Sequence, residues 1–149
     1  MDTYIYNFRW VTEGKLAGSS RPFLKKDFDW LYQIGIRAIV CLLDCPLYEE
    51  EAQRLGFKYL HLPIEDYSIP TWQQLDTFMS FVNKMEKDSK PVLVHCDSGL
   101  GRTGSLLAIY LVAKGYPAKE AIDTVRRGHP QSIHTREQEN IIFKFESEH

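Results

Sequence analysis

The sequence predicts an α/β fold: a single domain over residues 1–149, with a central, mostly parallel sheet flanked by helices. Three observations predict it. The runs "RAIVCLL" and "PVLVHC" are apolar, β-branched and too short for buried helices, so they read as strands covered on both faces. Between such runs lie longer segments whose apolar residues recur at helical spacing. No internal repeat, low-complexity tract or Gly/Ser- or Pro-rich linker divides the chain. Strands that alternate with helices build a parallel sheet.

The elements follow in order. "YIYNF" and "GKLAG" read as short N-terminal strands. Residues 24 to about 34 read as a helix, with Phe28, Leu31 and Ile34 on one face and Gly35 as its stop. "RAIVCLL" is the next strand, with Cys41 as a small buried hydrophobe. Residues 47–55 form a short acidic helix that stops at Gly56, and "KYLHLPI" is a strand. Pro63 and Pro70 bracket the loop "IEDYSI". Thr71 caps a long helix, with Gln74 completing a capping box and Leu75, Phe78, Phe81, Val82 and Met85 as its apolar face. "PVLVHC" leads into a glycine-rich loop and an apolar helix over about 102–114. Pro117 starts a helix running to Arg127. Thr135 and Gln138 form a second capping box that opens a final helix with Ile141, Ile142 and Phe145.

Bulk properties narrow the function classes. A chain of 149 residues, 44% hydrophobic, can bury a core without disulfides. A net charge of −2 leaves no electrostatic footprint for nucleic acid. No apolar run approaches the ~18 residues that a membrane helix needs. The start "MDTYIYNFRW" lacks the basic and apolar regions of a secretory signal. Three cysteines, Cys41, Cys45 and Cys96, fit a reducing compartment better than a disulfide framework. The expectation is a cytoplasmic protein with no nucleic-acid or membrane partner.

The loop "HCDSGLGRTG", residues 95–104, allows two readings. Gly99, Gly101 and Gly104 spell G-x-G-x-x-G, the dinucleotide fingerprint, in a strand–loop–helix context that suits it. Yet four strands precede this segment, whereas the fingerprint normally opens its fold. The acid expected about 20 residues on would be Asp123, inside a helical pattern. Asp97 and Arg102 also suit a pyrophosphate poorly.

The second reading starts from Cys96 and Arg102. Glycines let a loop curl so that its amides converge on an anion at a helix N-terminus. Arg102 can return a two-pronged guanidinium to two phosphate oxygens. The same field favours the Cys96 thiolate, which is placed for in-line attack on phosphorus. Asp97, Ser98, Gly99, Leu100, Gly101 and Arg102 would then hold the substrate phosphate through a phosphate-binding loop between a central strand and a helix. Thr103 has two options, a hydroxyl bond to the sulfur or a local bond within its helix. His95 reads as a hydrogen-bonded support for the loop. Cys41 or Cys45, at the end of a neighbouring strand, could trap an oxidised Cys96 as a disulfide. Phosphoester cleavage also needs a proton for the leaving oxygen, and Glu65 and Asp66 lie on a loop where α/β sites gather.

"HCDSGLGRTG" resembles the signature H-C-x-x-G-x-x-R-[ST]-G of the cysteine-dependent protein tyrosine phosphatases at every fixed position. "NFRWVTEGKLAGSSRP", "LPIEDYSIP" and "IHTREQENIIFKFE" resemble segments of the small atypical dual-specificity phosphatases, so the likeness covers nearly the whole chain. The resemblance implies a phosphatase acting on phosphotyrosine in proteins, with phosphoserine or phosphothreonine as further substrates. It implies a cysteinyl-phosphate intermediate, no cofactor, no metal and a monomer. It also implies that Asp66 rather than Glu65 is the acid, through the family's P-D-[YF] loop.

Departures mark the open points. Glu65 replaces the family's proline, and His129 replaces its arginine before Pro130, leaving Arg126 or Arg127 to support the fold or the acid loop. His134 stands where relatives carry a glutamine or glutamate that helps place water. Gln138 follows, though its capping box alone explains it. Phosphoinositide-directed relatives place lysines inside the loop; this one has Asp97, Ser98 and Leu100.

Overall fold

The computed structural model describes residues 3–149. Five strands form one sheet: β1 (Arg9–Thr12), β2 (Leu16–Ser19), β3 (Ala38–Cys41), β4 (Lys58–His61) and β5 (Val92–His95). Their spatial order is β1-β2-β5-β3-β4. β1 pairs antiparallel with β2, and every other pairing is parallel. Six helices connect or follow the strands: α1 (Lys25–Gln33), α2 (Glu49–Arg54), α3 (Trp72–Lys87), α4 (Gly101–Ala113), α5 (Ala118–Arg126) and α6 (Arg136–Glu148).

Strand alternation sorts the helices onto two faces. Leu16, Val40, Val92 and Val94 join the larger core with residues of α3, α4, α5 and α6. Ala17, Ile39 and Leu93, one residue out of phase, face Phe28 and Leu31 of α1 and Ala52 of α2. This double burial is why the strands read as continuous apolar runs. α4 is buried from Gly101 to Leu111 and packs on both α5 and α6. A helix with that surround needs no polar face. Each fully buried Leu or Ile contributes about 2 kcal/mol by apolar burial, so α4 is a rigid mount for whatever its N-terminus carries.

The N-terminal strand lies later than expected. Residues 4–8 are not paired in the sheet, because side chains take their amides: Tyr4 N donates to Asp27 Oδ1 and Tyr6 N to Ser20 Oγ. Asn7 breaks extension with a φ of 57°. The hairpin instead pairs Arg9–Thr12 with Leu16–Ser19. Asp27 is the organiser at this end. Its carboxylate accepts Thr3 Oγ1, Tyr4 N, Phe23 N and Leu24 N.

Both expected capping boxes are present, at Thr71–Gln74 and Thr135–Gln138. β5 lies between β2 and β3, so the chain leaves β3 for the edge and returns to the centre. The loops after β4 and β5 therefore emerge at the same, C-terminal edge of the parallel strands, where ligand crevices form.

Candidate active site

His95 ends β5 and α4 begins at Gly101, so Cys96–Leu100 form the connecting loop. Cys96 is 2% exposed, and its sulfur accepts the Gly99 amide at 3.3 Å. Four successive carbonyls of the loop are tied from outside. Asp97 O accepts Arg21 N at 3.1 Å, and Ser98 O accepts Asn7 Nδ2 at 3.0 Å. Gly99 O accepts Arg9 Nη1 at 2.6 Å, and Leu100 O accepts Ile133 N at 3.1 Å. Amides point opposite to carbonyls across a trans peptide. Carbonyls drawn outward thus turn the following amides inward, beside the N-terminus of α4, and make an anion nest.

Gly99 has a φ of +80°, and a Cβ there would lie 2.3 Å from the Ser19 carbonyl carbon. Only glycine fits on both counts. A Cβ at Gly101 would meet His134 Nδ1 at 2.7 Å. His134 is exposed and lies against the opening of the loop, with its ring 5.8 Å from that of Tyr67.

Arg102 is only 8% exposed. Its Nη1 donates to Ile64 O at 3.0 Å, and its Nε lies 3.5 Å from Asp66 Oδ1. Arg102 therefore joins the first turn of α4 to the loop after β4. Asp66 also accepts its neighbour's amide, Tyr67 N, at 2.9 Å. Arg102, Asp66, Glu65, Ile64, Asp97 and Cys45 line one cleft. The acid loop is fastened at both ends by capping glutamines. Gln74 Nε2 donates to Pro63 O at 2.7 Å, and Gln138 Nε2 to Ser68 O at 3.1 Å.

His95 is buried, and its Nδ1 donates to the Cys96 carbonyl at 3.2 Å. Burial pulls its pKa down to about 4, against that hydrogen bond and aided by the Arg21 and Arg102 charges. A neutral, buried ring fits loop support. Thr103 makes neither of its two expected bonds: its hydroxyl has no partner among the described residues. Its methyl is turned toward Gly18, where a Cβ would come within 2.7 Å of it. Ser105 makes the local helix bond, to Gly101 O at 2.9 Å. Arg126, not Arg127, is the supporting arginine, and it grips Ser132 O, Ile133 O and Glu139. Cys41 is buried, with its thiol 3.5 Å from the Cys45 carbonyl.

Sequence reasoning missed Asn7, Arg9 and Ile133 as supports of the loop. They act on it from 91, 90 and 33 residues away, and no local pattern around them signals it.

Residues 6–142 match the family described as "Swiss Army Knife protein, DSP-PTPase phosphatase domain", or PTP-SAK. The chain belongs to this family. An uncharacterized protein of Methanocaldococcus jannaschii is 36% identical over 87 residues, which are 58% of this chain and 54% of that protein. The tyrosine-protein phosphatase CDC14 homolog of Schizosaccharomyces pombe is 31% identical over 97 residues, 64% of this chain and 18% of the relative. The chain thus spans only part of the length of these curated relatives. The crystal structure of Tk-PTP in the active form superposes with a TM-score of 0.85 at 28% identity, over 94% of this chain and 96% of that one. The PTP-SAK match includes β5, the glycine loop, the acid loop and the start of α6, so every element that borders the cleft lies inside it. No helix among the described residues is long and apolar enough to cross a membrane.

Proposed function

We propose that this chain is one catalytic domain, a protein phosphatase that hydrolyses phosphotyrosine, with phosphoserine and phosphothreonine as further substrates. The observation that carries the reading is the ring of outward-tied carbonyls around the Cys96 sulfur. The family match and the Tk-PTP likeness support it.

In the first step the Cys96 thiolate attacks phosphorus, an S–P bond forms, and the bond to the leaving oxygen breaks. Asp66, released from Arg102 when the phosphoryl group takes that guanidinium, serves as the acid and gives a proton to that oxygen. Arg102 exchanges its contacts with Ile64 O and Asp66 for two phosphoryl oxygens, and the loop amides take the growing equatorial charge. In the second step Asp66, now a carboxylate, takes a proton from water. The water oxygen attacks phosphorus, the S–P bond breaks, and inorganic phosphate leaves with the thiolate restored. No metal or cofactor enters this scheme. His134, at the loop opening, is the residue we assign to placing that water, with Gln138 holding the acid loop through Ser68. A monomer in the cytoplasm completes the reading, and the three free cysteines support a reducing compartment.

The test is turnover of p-nitrophenyl phosphate in EDTA, with vanadate as inhibitor. Turnover lost in Cys96→Ser is the expected result. Activity that survives Cys96→Ser refutes the mechanism. A folded, inactive wild type that binds phosphopeptide would make the chain a phosphate-binding module instead.

A further inference from the structure

The peptide between Gly99 and Leu100 is held from outside by a charged side chain. Arg9 Nη1 donates to Gly99 O at 2.6 Å and to Asn7 O at 2.9 Å, and Nη2 donates to Ser132 Oγ at 3.2 Å. No carboxylate pairs with Arg9 among the described residues, and its Nε is buried without a partner. Burying an arginine without a counter-ion is costly. Burial draws its pKa down to about 10, with the charge of Cys96 opposing, so the side chain is cationic at neutral pH. The cation is therefore kept half-buried for three bonds to neutral oxygens, one of them on the phosphate loop.

We propose that Arg9 is a positioning residue of the phosphate loop: its grip on the Gly99 carbonyl keeps the Leu100 amide turned toward the anion, and its charge reinforces the field behind the loop. This rests on reading the loop as a phosphate site. Gly99 is the loop position where rotation of the peptide is cheapest, because it has no Cβ and a positive φ. Rotation of that peptide would remove an amide from the nest. It would also present a carbonyl oxygen to phosphoryl oxygens and to the thiolate. Arg9 opposes this with a charge-assisted bond, the strongest kind open to a neutral acceptor. The same guanidinium holds the carbonyl of Asn7, whose side chain secures Ser98 O. It also holds Ser132, next to the Ile133 amide that secures Leu100 O. One side chain thus coordinates three of the four outward ties.

The experiment compares wild type, Arg9→Gln and Arg9→Lys in three readouts: vanadate affinity, the pH dependence of Cys96 alkylation by iodoacetamide, and the thermal midpoint. Arg9→Gln should weaken vanadate binding by on the order of tenfold, the value of a charge-assisted bond. Its alkylation inflection should move to higher pH. Arg9→Lys, which keeps the charge but not the fork, should fall between. A merely structural arginine would lower the thermal midpoint and leave the other two readouts alone; that result overturns the proposal. Should Arg9→Gln not fold, Arg9→Lys decides alone: a loss of about threefold or more supports the assignment, and wild-type affinity refutes it. A wild type without Cys96-dependent vanadate binding would instead remove the phosphate-site reading itself, and this inference with it.

Discussion

Gln138 donates its Nε2 to the Ser68 carbonyl at 3.1 Å, which joins the first turn of α6 to the acid loop. The same side chain accepts the amides of His134 and Thr135 with its Oε1 and is fully buried. A cap and a tether are one residue here. Gln138→Leu should cost about 1–2 kcal/mol of stability through the lost cap and the orphaned amides. It should also lower kcat more than it raises KM, because the acid is freed while the phosphate nest stays. Thermal melts and p-nitrophenyl phosphate kinetics measure the two effects. An intact kcat in a destabilised variant would reduce Gln138 to a cap.

Asp66 Oδ1 lies 3.5 Å from Arg102 Nε and accepts the Tyr67 amide, and its side chain is exposed. Asp66→Asn should cut kcat by roughly 10²–10⁴-fold, the usual worth of a positioned proton donor. KM should change little, since the acid acts in the transition state. The loss should shrink for aryl phosphates with better leaving groups. An equal loss across a leaving-group series would move the acid role elsewhere, with Glu65 next in line.

Gly99→Ala should be among the most damaging single changes to the loop. The added methyl would meet the Ser19 backbone at 2.3 Å, and alanine would also have to hold a φ of +80°. Strain and overpacking together predict a loss of about 3 kcal/mol or a displaced loop. Urea denaturation and vanadate binding distinguish the two, and a variant normal in both would contradict the geometry.

Stability should fall with acid through the range in which a histidine ordinarily takes its proton. His95 is neutral in the folded protein, with its pKa drawn from 6.5 to about 4, while the unfolded chain takes a proton near the ordinary value. The unfolded state then binds more protons between those values. The contribution is complete above pH ~6.5 and is lost progressively down to pH ~4, up to roughly 3 kcal/mol in all. His129 is displaced in the same direction, by burial and then by Arg9. Asp27 and Glu86 act in a lower window, because their hydrogen bonds outweigh burial and hold them below ordinary carboxylate values. Urea midpoints at pH 7.5 and pH 5 test this. The difference should shrink in His95→Gln, and a flat wild-type profile would contradict it.

What the sequence made legible was local. Cys96, Arg102 and the glycines lie within ten consecutive residues, so their spacing alone describes a curl at a helix start. The capping boxes span four residues each and were equally readable. The alternation that divides Leu16 from Ala17, or Val92 from Leu93, between the two cores follows from strand geometry. The N-terminal strand was misplaced because "YIYNF" has the apolar pattern of a strand, while its amides go to Asp27, Thr3 and Ser20. No propensity encodes such partners. Arg9 was invisible for the same reason: a lone arginine among aromatics looks like a surface residue until the sheet brings it to Gly99.

The ties on the loop also set when the chain acquires its chemistry. Asn7–Ser98, Arg9–Gly99 and Arg9–Ser132 close across 91, 90 and 123 residues. Such contacts form late, after the costs of bringing distant segments together have been met. During synthesis the nucleophile leaves the ribosome well before Ser132 and Ile133 do, and its loop has no fixed shape in that interval. Oxyanion binding should thus appear only in the last phase of refolding, behind helix formation. The nest around the thiol is complete only once the segments that carry Arg9 and Ser132 have met.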